Sequence, residues 1–231
     1  MTRETLDRQI QKLLDEVLAL GSMVEQAILD AVESLERRDL KAARRIYAGD
    51  KQINEKRFEI ENDALIIIAT QQPMARDLRI LASVLDIASE LERMGDYAKG
   101  IALINIRMGD DPLIKPLIDV PRMAELTTDM LHRALGAFVA GDAESALAIP
   151  KEDDEVDALY NQVYRDLLTF MISDPSTIDR ATYLLWVAHN LERAADRVTN
   201  ICERTVFVAT GELIEISASD DETQSQISGI F

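Results

Sequence analysis

The chain has 231 residues, with 42 Asp+Glu against 25 Lys+Arg and a formal net charge of −17. That balance argues against non-specific nucleic-acid binding and against docking on anionic lipid, while 47% hydrophobic residues exclude a disordered chain and leave enough apolar surface for one large or two small cores. A single cysteine, Cys202, excludes a disulfide framework and a Cys-rich zinc module.

In chain order, Leu6, Ile10, Leu13, Leu14, Val17, Leu20, Val24, Ile28 and Ala31 recur at three- and four-residue spacing, which predicts a helix over 2–37. Asp39 reads as the N-cap of a second helix, 39–71. Within it, Ala64–Ala69 is the longest clean apolar run, far short of a membrane span. Pro73 suits the first turn of a third helix, 74–108. The segment 109–121 carries Pro112, Pro116 and Pro121 and is the one linker-like stretch. Further helices are predicted over 121–140, 142–172 and 176–209, with Asp142 and Asp174 as caps. Pro150 falls inside the fifth and should kink it or delay its start. Trp186 falls on an apolar stripe and reads as core, and Cys202 as a partly buried thiol. The basic run Arg37, Arg38, Lys41, Arg44 and Arg45 reads as a solvated helix end.

The second half resembles the first. Asp39 and Asp50 return as Asp142 and Asp153, and Leu91-Glu92-Arg93 with Asp96 returns as Leu191-Glu192-Arg193 with Asp196. The fold expected is all-α: six long helices in two repeated antiparallel three-helix bundles. The bundles occupy 1–110 and 121–211, with a proline-rich linker at 111–120 and an acidic, disordered tail at 212–231. The charged start, Met1-Thr2-Arg3-Glu4, has no signal-peptide apolar region, so the expected location is cytoplasmic.

Glu and Asp at i,i+4 share a helix face and repel unless something holds them. One such pair is commonplace in a chain this acidic, but its in-register duplicate marks either a metal site or a solvated face with arginine counter-charges. Pairing each hairpin about its turn, near 73 and near 174/175, sets Glu92 and Asp96 against Asn54 and Asp50, and Glu192 and Asp196 against Asp157 and Asp153. Oxygen donors in that number favour hard ions such as Mg²⁺, Mn²⁺, Ca²⁺ or ferric iron. Arg93 and Arg193 either anchor the clusters from behind or are ordinary surface arginines. His132 and His189 read as structural. No P-loop, dinucleotide fingerprint or nucleophile elbow is present.

At these residues the sequence resembles the PhoU family of phosphate-transport regulators. The resemblance rests on Leu91–Tyr97 and Leu191–Arg197, and extends to Asp50–Asn54, to Gln71-Gln72-Pro73 with Asp77-Leu78-Arg79 beyond, and to Val206–Glu215. It departs where a histidine often follows the motif aspartate, here Tyr97 and Arg197. The resemblance implies bound metal (iron, zinc, manganese or magnesium) on Glu92, Asp96, Glu192 and Asp196, joined by Asp50, Asn54, Asp153 and Asp157. It implies a commonly dimeric, non-enzymatic regulator that represses the phosphate-starvation response through a PstB-type transporter ATPase and a PhoR-type histidine kinase, with no nucleic acid and no membrane insertion. The competing readings are a carboxylate-bridged metalloenzyme, which the scarcity of histidine ligands disfavours, and a purely structural helical scaffold.

Overall fold

Long runs of Ala, Leu, Glu and Arg with few breakers propagate helix efficiently, and the computed structural model is helical almost throughout. It describes residues 3–216; the part of the predicted acidic tail from 217 onward lies outside the described residues. Seven α-helices are described: α1 (Arg3–Glu36), α2 (Leu40–Gln71), α3 (Arg76–Met108), α4 (Asp119–Ala140), α5 (Ala143–Ala148), α6 (Asp153–Ser173) and α7 (Ile178–Thr210). No strand occurs among the described residues, and no described helix is long and apolar enough to cross a membrane.

The breaks fall where the chemistry requires them. The Asp39 carboxylate accepts from Lys41 and Ala42 N–H at 2.9 Å, and Asp142 from Glu144 and Ser145 N–H at 3.1 Å, capping α2 and α5. Asp174 caps the short 3₁₀ turn Pro175–Thr177 that leads into α7. Pro150 splits the fifth predicted helix into α5, a 3₁₀ turn (Ile149–Glu152) and α6. Pro73, by contrast, precedes its helix: Gln72 and Ala75 both adopt left-handed φ of 49°, so the chain turns before α3 begins at Arg76.

Long-range pairs give the packing. Lys56 with Glu16 and Lys12 with Asp63 (3.7 Å) set α1 antiparallel to α2. Ser89 with Glu61 and Lys99 with Asp50 set α2 antiparallel to α3. Arg3 with Asp77, and Asn105 donating to the Ser34 carbonyl at 2.8 Å, run α1 parallel to α3. The halves meet along α3 and α7, antiparallel: Arg204 lies 3.5 Å from Asp86, Arg197 lies 3.4 Å from Glu90, and Gly100 lies beside Asn190. Leu91 and Leu191, both fully buried, belong to one continuous core that draws on every helix of both repeats.

Three sequence expectations are corrected. Trp186 is 49% exposed, because Leu184, Val187, Ala188 and Leu191 form the buried stripe of α7 and residue 186 lies off it. Cys202 is fully rather than partly buried, and burial pushes its thiol up to about 12. Arg38 is not a solvated helix end: at φ 54° it turns inward and donates to Asn105 Oδ1 (2.5 Å) and to the Gly109 carbonyl (2.7 Å), tying the end of α1 to the end of α3.

α1 and α4 approach closely at Gly21, where a Cβ would sit 2.1 Å from Leu135 Cδ1. Gly21→Ala is therefore expected to destabilise by about 1–3 kcal/mol through over-packing, despite alanine's better helix propensity. In urea denaturation, Leu135→Ala should cost less in the Gly21→Ala background than alone; strict additivity would contradict this packing.

Candidate metal-binding carboxylate clusters

Each repeat presents its duplicated motif on its last long helix, α3 or α7, towards the helix before it. Leu91 and Met94 on α3, and Leu191 and Ala194 on α7, point into the core and leave Glu and Asp at the edge of the hairpin interface. Gly95 eases that approach, since a Cβ there would press on Ile53 at 3.1 Å.

In the second cluster α6 packs alongside α7: the Tyr160 and His189 rings lie 6.3 Å apart, centre to centre, and Tyr160 also feels the Glu192 charge. Asp153, Asp157, Glu192 and Asp196 then share one electrostatic environment. Burial pushes the Asp153 carboxyl up to about 7, with the charges of Asp157, Asp196 and Glu192 adding to it. Burial likewise raises Asp157, with Asp196 next in importance, and raises Glu192, again with Asp196 next. Nearby positive charge is sparse: Arg193 Nη1 lies 3.0 Å from Asp196 Oδ2, and His189 Nδ1 lies 3.2 Å from Glu192 Oε2 without making a hydrogen bond.

The first cluster is built differently. The Arg57–Glu92 (3.6 Å) and Asp50–Lys99 (2.7 Å) pairs place the pairing centre between residues 74 and 75, so Arg57 rather than Asn54 stands opposite Glu92. Asp50 faces Lys99, whose Nζ donates to Asp50 Oδ2 at 2.7 Å and to Asp96 Oδ1 at 3.3 Å. Asn54 Nδ2 donates along its own helix to Asp50 Oδ2 at 3.2 Å. The hydrogen bond to Asp50 holds the Lys99 ammonium above its usual pKa. Burial, then the Asp96 charge, raises Glu92, while Arg57 opposes the rise. Arg93 is exposed and pairs with Glu90 at 2.5 Å. Lys99 and Asp50 border a cleft of about 710 Å³ between α1 and α2, walled also by Met23, Ala27, Arg45 and Ile46.

The donor set fits a hard cation. Asp50 Oδ1, Asp153 Oδ1 and Glu192 Oε2 are buried carboxylate oxygens with no hydrogen-bond partner in the protein, a costly condition that an ion coordinated by oxygen relieves. Among the described residues no group of three or more acid, histidine or cysteine side chains already stands as a coordination set; an ion would require these side chains to rotate. Sequence reasoning missed Lys99 and Arg57, and read His189, which lies 3.2 Å from Glu192, as structural. The signal for Lys99 was its place one turn after Asp96, on the same face of α3.

Comparison with known proteins follows this geometry. A family model described as the PhoU domain matches residues 17–104 and 120–205. The phosphate-specific transport system accessory protein PhoU homologue of Clostridium acetobutylicum is 35% identical over 218 residues, covering 94% of this chain and 100% of the relative. The homologue of Caulobacter vibrioides is 38% identical over 212 residues, covering 91% and 92%. The crystal structure of the phosphate transport system regulatory protein PhoU from Streptococcus pneumoniae superposes with a TM-score of 0.83 at 31% identity, covering 90% of this chain and 99% of that one. That of PhoU from Pseudomonas aeruginosa gives 0.83 and 31%, covering 89% and 99%.

A carboxyl whose pKa is raised on folding binds its proton more tightly in the native state, so stability falls as pH rises. For Asp153 the window runs from the unfolded value of 3.8 to about 7. The metal-free protein is therefore expected to melt at a lower temperature near pH 8 than near pH 5, and Asp153→Asn should flatten that slope and raise the melting temperature near pH 8. Thermal melts in chelator test this; a melting temperature that rises with pH in the wild type would contradict it.

Proposed function

This chain belongs to the PhoU family, and on that premise we propose that it is a non-enzymatic regulator of phosphate transport. It acts in the cytoplasm as a homodimer, restraining the phosphate-starvation response through contacts with the transporter's ATPase and a phosphate-responsive histidine kinase. The observation that carries the reading is coverage. Relatives bearing the accessory-protein name match more than nine-tenths of this chain and of their own length.

The surface supports a role in protein contacts. Phe58 and Leu65 on α2, Met74 in the loop after it, and Ile172 near the end of α6 are all more than half exposed, and exposed apolar side chains of this size suit docking. Asp50, Asn54, Glu92 and Asp96 would hold metal in one repeat, and Asp153, Asp157, Glu192 and Asp196 in the other. The bound ion would supply the positive charge these carboxylates lack. It would thereby fix α2 to α3 and α6 to α7, so the outer helices present a defined surface to a partner. The chain's own residues bind and orient; no step of the proposal requires turnover.

Two measurements test this. Deleting the gene should raise phosphate-starvation gene expression at high phosphate, and the wild-type copy should restore repression; unchanged expression and uptake would overturn the regulatory reading. Elemental analysis of protein purified from its native source should find metal, with the content falling at least severalfold in Glu192→Ala/Asp196→Ala. Equal content in the two proteins would reduce the clusters to a charged face.

A further inference from the structure

The two clusters occupy corresponding places in the two repeats, yet they differ in charge: the second gains His189 where the first has Ser89, but three other differences run the opposite way. At the repeat spacing, Lys99 corresponds to Thr199, Arg57 to Tyr160 and Asn54 to Asp157. Each of these three removes a cation from the second cluster or adds an anion to it. The first cluster meets three carboxylates with two basic side chains, Lys99 at 2.7 Å from Asp50 and Arg57 at 3.6 Å from Glu92. The second meets four carboxylates with Arg193 and with His189, a base that is neutral unless protonated.

Burial sharpens the contrast. Asp153 is 3% exposed and Asp50 7%, and each keeps one carboxylate oxygen unpartnered. The other Asp50 oxygen is held by Lys99 and Asn54. At the second cluster the residue in the position of Lys99 brings no charge: Thr199 is buried and its hydroxyl also lacks a partner. Lys99 is held by Asp50, Asp96 and the Tyr47 ring, but open space lies beside it. About a third of its side chain is exposed, its ammonium lies 5.8 Å from the centre of the Tyr47 ring, and it borders the cleft between α1 and α2. A flexible four-carbon stem beside open space can leave Asp50 without disturbing the helices.

Resting on the metal-carboxylate reading above, we propose that Lys99 is a tethered counter-ion that stands in for metal at the first cluster. The second cluster then takes a divalent cation first and more tightly, and the first takes one only when Lys99 swings out into the cleft. The repeats are thus a constitutive site and a conditional one. Like charges a few ångströms apart in a partly buried site repel strongly, so replacing the ammonium should change affinity at the first cluster by at least about tenfold.

The test is titration of the metal-free full chain with Mn²⁺, followed by calorimetry and by elemental analysis after dialysis. Wild type should show a tighter and a weaker class of sites, the tighter one abolished by Asp153→Asn/Asp157→Asn. Lys99→Thr should strengthen the weaker class at least about tenfold and leave the tighter one unchanged, and Lys99→Met, which keeps the stem, should do the same. Thr199→Lys should weaken the tighter class, and it carries the test alone if both Lys99 variants fail to fold by circular dichroism. Manganese uptake in which the folded Lys99 variants, or Thr199→Lys, leave the affinities unchanged would overturn the proposal while sparing the metal reading. No uptake by any variant would overturn the metal reading and this one with it.

Discussion

The antiparallel packing of α3 against α7 sets the position of every other helix, because each of the two spends its remaining faces on its own repeat. Leu91, Met94, Ala98 and Ala102 on α3, and Leu191, Ala194, Ala195 and Val198 on α7, are sealed completely from solvent. Burial on that scale dominates folding, at about 25 cal/mol for each Å² of apolar surface removed from water. Its consequence for function is positional. Glu92, Glu192 and Asp196 are part-buried at the edge of an apolar seam, while Asp96 is half exposed beside Lys99. Glu90 shows the same seam managed with protein groups alone: it accepts from Asn200 at 3.1 Å and lies near both Arg93 and Arg197.

Carboxylates placed in that way need positive charge, and the two repeats obtain it by different routes. In the first, Lys99 and Arg57 supply most of it from within the chain. In the second, Arg193 and His189 leave four acids under-compensated, and the buried Asp153 takes a proton near neutrality. A group poised in that way couples the order of the hairpin to its ionic surroundings. Metal, proton and lysine are three answers to one electrostatic demand, which links the chain's acidity to conformational control rather than to solubility alone.

Much of this was legible in the sequence. Helix identity followed from three- and four-residue periodicity, and the caps at Asp39, Asp142 and Asp174 from side chains suited to bare N–H groups. The duplicated Leu-Glu-Arg and its aspartate marked both clusters. Register in the first hairpin was not legible: the turn residue offered by the sequence, Pro73, lies before the pairing centre that the Arg57–Glu92 and Asp50–Lys99 pairs define. Arg38 escaped notice because only a backbone turned to positive φ aims it inward towards Asn105. Trp186 misled because adjacent apolar residues on a helix do not share a face. Lys99 was hidden because the spacing between acids carries no sign of the base that neutralises them.

The central claim is that the second cluster is held by an external cation and the first by its own lysine. Anomalous diffraction from crystals of the full chain, grown with limiting manganese and measured at the manganese edge, tests it most directly. The account predicts density among Asp153, Asp157, Glu192 and Asp196, with Lys99 still on Asp50. Manganese appearing first at Asp50, Glu92 and Asp96, or away from both clusters, would contradict it.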